Sequence, residues 1–257
     1  MKKSLTILLA AAMAFSLTAC SGGKDAKAIY DDATKKTSEL TSMEANSAVN
    51  MQMAQGEEKT DINMKLDMKI SGINTDSMKY LAEGTTSLMG QDIKLSMYYE
   101  GGYYYMDSMG QKIKYAMDLD EMMKQIKQGT EGASVDSSYL KEITAKKDGD
   151  NQILSFSIDA GKMDTYVKDL MGQLGTAGLE GVTYNIKEAK GEATVNKEGY
   201  FTSQKITLTM DMTSQDQTFS IVMDTDTTYL NPGQAVEVTA PDLSGYTEVD
   251  PKTLQAQ

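Results

Sequence analysis

The chain has 257 residues, 25 of them basic against 37 acidic, with a formal net charge of −12 and no histidine. Every basic residue is lysine, so the bidentate guanidinium fork that favours phosphate and carboxylate recognition is missing, as is the side chain best suited to proton transfer near neutral pH. The acidic balance excludes nucleic acid as a partner, because such binding begins with neutralising phosphates. An enzyme would have to work through carboxylates or lysine alone, and the sequence reads as non-enzymatic, with no cofactor and no metal.

Lys2 and Lys3 precede an apolar run from Leu5 to Phe15, about eleven residues and too short to span a bilayer. Leu17-Thr18-Ala19-Cys20 follows it and resembles a lipobox. That resemblance implies cleavage before Cys20 and attachment there of a diacylglycerol thioether, with palmitate as the typical further acyl group. Residues 1–19 are then a signal peptide, 20–24 a short lipidated tether, and the protein sits on the extracytoplasmic face of the cell membrane. Two acyl chains hold where one binds only marginally. Without the signal, 23 lysines face 37 acidic residues, so anionic headgroups repel the body and leave the anchor to hold it. Cys20 is the single cysteine, so an internal disulfide is excluded.

The spacing of Ile29, Ala33 and Leu40 predicts a first amphipathic helix over Lys24 to Leu40. From Met43 the period becomes two: Ile62, Met64, Leu66, Met68 and Ile70 alternate with polar residues, as a strand with one wet face requires. The pattern returns at Ile93, Leu95, Met97 and Tyr99, at Ile206 to Met212, and at Phe219, Ile221 and Met223. Turns at Gln55-Gly56-Glu57, Glu100-Gly101-Gly102, Lys147 to Asp150 and Asn196 to Gly199 predict an antiparallel meander. Asp118 and Asp159 each follow a strand pattern and precede a helical stripe: Leu119, Met122, Met123 and Ile126 in the first case, Met163, Val167 and Leu170 in the second. These two steps suggest similar halves, about 25–130 and 131–249, within one domain over 25–249. Gly172 to Gly181 reads as a loop, Ala235 to Thr239 as a last strand after Asn231-Pro232-Gly233, and 250–257 as a frayed tail.

Twenty methionines, many at inward strand positions, fit either a plain core or an adaptable apolar cavity. Met51-Gln52-Met53 and Met210-Asp211-Met212 can be written as copper(I) thioether pairs, but no histidine or thiolate completes such a site. The tyrosines around Glu100-Gly101-Gly102 fit a stacking platform or cross-strand pairs. Ser138-Tyr139-Leu140-Lys141 matches Ser-x-x-Lys without the companion motifs of the penicillin-binding enzymes, and Asp224-Thr225-Asp226 lacks the glycine and glutamate of a calcium loop.

The lipobox, the leading helix, the amphipathic strands, the Tyr98-Tyr99-Glu100-Gly101-Gly102-Tyr103-Tyr104-Tyr105 hairpin and the step at Asp118 together resemble uncharacterised Gram-positive lipoproteins with a LolA/LolB- or LppX/LprG-like domain. The resemblance implies an α+β fold: a strongly curved antiparallel sheet, an incomplete barrel, with helices covering its concave face and a cavity for acyl chains between them. Its lining would be Met64, Leu66, Met68, Leu95, Met97, Met210, Met212 and Met223, with Met163, Val167 and Leu170 from the helix. The outer-membrane carriers hold their lid with arginine, which this chain lacks, so their release mechanism does not transfer. The function implied is binding of an apolar or lipidic ligand. The alternative is a cell-surface interaction or sensor lipoprotein with a solid core and an envelope protein partner.

Overall fold

A computed structural model describes residues 25–88, 90–131, 135–159, 161–162, 183–214 and 217–250. The expected signal peptide and tether with Cys20, the expected helical stripe of Met163, Val167 and Leu170, the segment expected as a loop at 172–181 and residues 251–257 lie outside the described residues.

Helix α1 (Ala26–Ser38) begins where the Asp25 carboxylate accepts the Lys27 N–H, satisfying one of the free donors of the first turn. It leads into six strands, β1 (Ser42–Gln55), β2 (Glu58–Ser71), β3 (Lys79–Leu88), β4 (Gln91–Glu100), β5 (Tyr103–Ser108) and β6 (Gln111–Ala116). Helix α2 (Leu119–Glu131) follows, capped as expected by Asp118, whose carboxylate accepts the Glu121 N–H at 2.8 Å. Five more strands come next, β7 (Leu140–Asp148), β8 (Asn151–Ile158), β9 (Thr183–Val195), β10 (Phe201–Ser214) and β11 (Gln217–Leu230), and the two-residue β12 (Thr247–Glu248) ends the series. After β8, Asp159 accepts the Gly161 N–H at 2.9 Å.

The strands form one open sheet in the order β12-β6-β5-β4-β3-β2-β1-β11-β10-β9-β8-β7. It is an α+β architecture of two antiparallel meanders, β1 to β6 and β7 to β11, joined where β1 pairs with β11. The exception to antiparallel pairing is β12, which lies parallel to β6. The four expected turns all connect neighbouring strands. Gly56 and Gly149 take φ of 60° and 58°, the left-handed geometry that tight hairpins need and glycine adopts without strain.

Residues directly opposite one another in an antiparallel pair share a face. Along β1, Met43, Ala45, Ser47, Val49, Met51 and Met53 face one way, opposite Ile70, Met68, Leu66, Met64, Ile62 and Thr60 of β2. Both hydrophobic cores reach that face. The first gathers Tyr30 and Ala33 of α1 with Leu154, Phe156, Val195, Phe201, Ile206, Leu208 and Ile221, and Met51 and Met53 pack against it. The second gathers Met122 of α2 with Ile70, Met78, Tyr80, Ala82, Tyr99 and Tyr104, and Met43 packs against it. The two helices therefore lie on the same side of the sheet, over different strands.

Ala235 to Thr239 is not a strand, contrary to the sequence expectation. Its alternation arises because the chain crosses the opposite side of the sheet without a ladder partner. The Val236 N–H donates to Ser42 Oγ at 3.2 Å, Val238 is buried, and Lys112 Nζ reaches the Ser244 carbonyl at 3.4 Å. Tyr246 then meets Tyr105 edge-on at 5.3 Å before β12 joins β6. Among the described residues no helix is long and apolar enough to cross a membrane.

Candidate functional site

The core beneath α1 is held by directional aromatic contacts. Tyr30 stands edge-on to Phe156 at 5.5 Å and to Phe201 at 5.3 Å, and its hydroxyl donates to the Val135 carbonyl at 2.7 Å. Gly191 makes this possible: an added Cβ would come within 2.4 Å of the Phe156 ring. The core beneath α2 has no phenylalanine among its buried members and relies on methionine and tyrosine. Burial pushes the Tyr80 phenol up to about 12, and the Tyr104 phenol higher still.

Between these cores, on the same face, lie Val49, Ile62, Met64, Ile93 and Leu95, all half-buried and members of neither core. Val49 faces Met64 across β1 and β2, and Met51 faces Ile62. Leu95 faces Gly84, which in turn faces Leu66. A Cβ at Gly84 would stand 2.0 Å from the Lys65 carbonyl oxygen, so only glycine lets β3 approach β2 this closely. This apolar patch is the candidate site. Met51, Met53, Met223, Leu66 and Met97 border it, partly buried against one core or the other.

The eight strand residues expected from sequence, Met64, Leu66, Met68, Leu95, Met97, Met210, Met212 and Met223, fall on this one face. They are not equivalent. Met210 is buried inside the first core, while Met212, Met223, Leu66, Met68 and Met97 pack at the margins of the two cores. Met64 and Leu95 belong to the patch itself. Sequence reasoning left out Val49, Ile62 and Ile93, although Ile62 and Ile93 begin the very alternations that exposed their neighbours.

A row of hydrogen-bonding side chains crosses the same face beside the patch. Gln204 of β10 faces Thr227 of β11, which faces Ser47 of β1, which faces Leu66 of β2. The Tyr229 hydroxyl donates to Gln204 Oε1 at 2.8 Å, and the Ser47 and Thr227 hydroxyls lie 3.3 Å apart. Burial pushes the Tyr229 phenol up to about 12, which keeps that hydroxyl protonated and donating.

The tyrosine hairpin is not a single platform. Tyr99 faces Tyr104 on the side of the second core, while Tyr98 faces Tyr105 on the opposite side, their rings 6.0 Å apart. Tyr98 donates to Glu100 at 2.7 Å, and Lys79 pairs with the same carboxylate at 2.7 Å, so the Glu100 carboxyl is held below its ordinary range by Lys79 first and Tyr98 second. Asp224 and Asp226 lie within β11, bonded to Thr207 at 2.7 Å and Lys205 at 3.1 Å, and form no loop. Among the described residues no group of His, Cys, Asp or Glu side chains could hold a metal.

A family model described as a family of unknown function, DUF6612, matches residues 25–243. The chain belongs to this family. No curated protein matches the sequence. Among solved structures, LprF from Mycobacterium bovis is 14% identical, with 86% of this chain and 97% of that chain covered and a TM-score of 0.45. A LolA superfamily protein from Nitrosomonas europaea is 10% identical, with 86% and 96% covered and a TM-score of 0.23. A DUF1329 family protein from Desulfovibrio piger is 11% identical, with 82% and 95% covered and a TM-score of 0.27.

Proposed function

We propose that the protein is a membrane-anchored extracytoplasmic lipoprotein, acylated at Cys20, that binds an apolar or lipidic ligand on the sheet face between its two cores. In this reading residues 25–249 form one domain, the sheet is strongly bent, and the side bearing α1 and α2 is its concave side. The observation that carries the proposal is the half-buried patch of Val49, Ile62, Met64, Ile93 and Leu95, on the side of the sheet that also carries the helices. A long alkyl chain laying eight methylenes there would gain about 6 kcal/mol before ordering costs, enough for useful affinity. The bordering methionines supply a surface that remoulds to chains of different shape.

The test is solvent extraction of the purified protein followed by mass spectrometry, with a panel of lipids offered to the extracted protein. The proposal predicts one bound apolar species per chain. A protein that carries no lipid and takes up none contradicts it. The second reading, an interaction lipoprotein, draws on Tyr103, which with Lys112 and Lys114 lies on the opposite side of the sheet, Lys114 Nζ 5.0 Å from the Tyr103 ring centre. It predicts a stoichiometric protein partner on cross-linking of intact cells.

A further inference from the structure

A purely hydrocarbon ligand would need only the patch, yet the face also carries the row of Gln204, Thr227 and Ser47. Gln204 and Thr227 are the buried polar residues among the described ones, each 2% exposed. The row ends at the patch: Ser47 is followed on the same face by Val49 and faces Leu66. Its hydrogen bonds leave something over. Two hydroxyls sharing one bond, as Ser47 and Thr227 do, leave one O–H without an acceptor. Gln204 has its oxygen engaged by Tyr229, while its amide nitrogen has no partner among the described residues. Both surplus groups are donors, and the rows that contain them hold no charged residue. Thr37 Oγ1 is the partnerless buried side-chain atom among the described residues, so the Gln204 amide nitrogen is open at this face, where a ligand can offer it an acceptor. The absence of a cation disfavours phosphate or a free carboxylate and suits a neutral carbonyl.

We propose that this row receives the carbonyl oxygen of an ester or amide, so that the ligand is an acylated lipid whose carbonyl sits at Ser47, Thr227 and Gln204 and whose chain lies on the patch. The inference rests on the apolar-ligand reading above and names its chemical class.

The test uses the whole mature chain carrying Cys20→Ser, with displacement of the neutral dye N-phenyl-1-naphthylamine by 1-monomyristoylglycerol and by 1-O-tetradecylglycerol. These competitors have the same chain length and headgroup, and the ether lacks only the carbonyl. The chain as it stands should bind the ester about 5- to 10-fold more tightly, as one net hydrogen bond allows. Thr227→Val and Gln204→Leu should each bring that ratio towards one while leaving affinity for the ether unchanged. If Gln204→Leu does not fold, Ser47→Ala replaces it. Equal binding of ester and ether by the unmodified row overturns the carbonyl assignment and leaves the apolar reading standing. Failure of both competitors to bind overturns both.

Discussion

The two cores share one sheet face but are built in different ways. Beneath α1, Tyr30 is clamped between Phe156 and Phe201 with branched aliphatic neighbours, an arrangement whose ring geometry has few alternatives. Beneath α2, Met78, Met117 and Met122 pack with Tyr80, Tyr99 and Tyr104, and flexible thioethers fill what the rings leave. The comparison separates an anchor from an adaptable end, with the patch between them. A ligand-binding face needs both: rigid backing to fix its strands and a border that yields.

The anchor should fail most sharply. Tyr30→Ala removes both ring contacts and the bond to Val135, and should lower stability by about 3–5 kcal/mol in urea unfolding. Met122→Ala should fall in the range of about 2–4 kcal/mol, but Met122→Leu should cost under about 1.5 kcal/mol because the second core can repack. A Met122→Leu loss equal to that of Met122→Ala would erase the distinction. Gly191→Ala, which drives a methyl into the Phe156 ring, should cost about 1–3 kcal/mol.

Alkaline pH gives a third comparison. Tyr80 and Tyr104 have phenols raised by burial in the second core, while Tyr229, at the margin of the first, is raised to about 12. A raised native value means that stability is fully present below the unfolded tyrosine value near ~10 and is lost as pH rises through the native values. The urea midpoint should therefore fall above pH ~10, and Tyr80→Phe and Tyr229→Phe should flatten that fall by similar amounts. The smallest expected effect is a gain. Thr37 Oγ1 is the buried side-chain polar atom without a partner among the described residues, and Thr37→Val should stabilise by about 1 kcal/mol.

Much of this was legible in period alone. The alternation of Ile62 to Ile70 and Ile206 to Met212 identified the inward face correctly, and Asp118 marked its helix. Strand β3 escaped because its inward residues, Tyr80, Ala82, Gly84 and Thr86, shrink where it approaches β2 and flatten the hydrophobic signal. The Ala235 to Thr239 segment misled because a chain packed across a sheet alternates like a strand within it. The division of inward residues between core and patch depends on where α1 and α2 settle, and α1 packs against β7, β9 and β10, far along the chain. The polar row was illegible for the same reason: Ser47 and Thr227 meet only through the pairing of β1 with β11.

The central claim is that the patch, and not the packed cores, receives the ligand. It is tested most directly by dye binding to Met64→Asp alongside urea unfolding of the same variant. The account predicts that affinity for N-phenyl-1-naphthylamine falls at least about 10-fold, because a carboxylate in the patch must stay hydrated, while stability changes by no more than about 1 kcal/mol. Unchanged affinity in a folded Met64→Asp protein would contradict it.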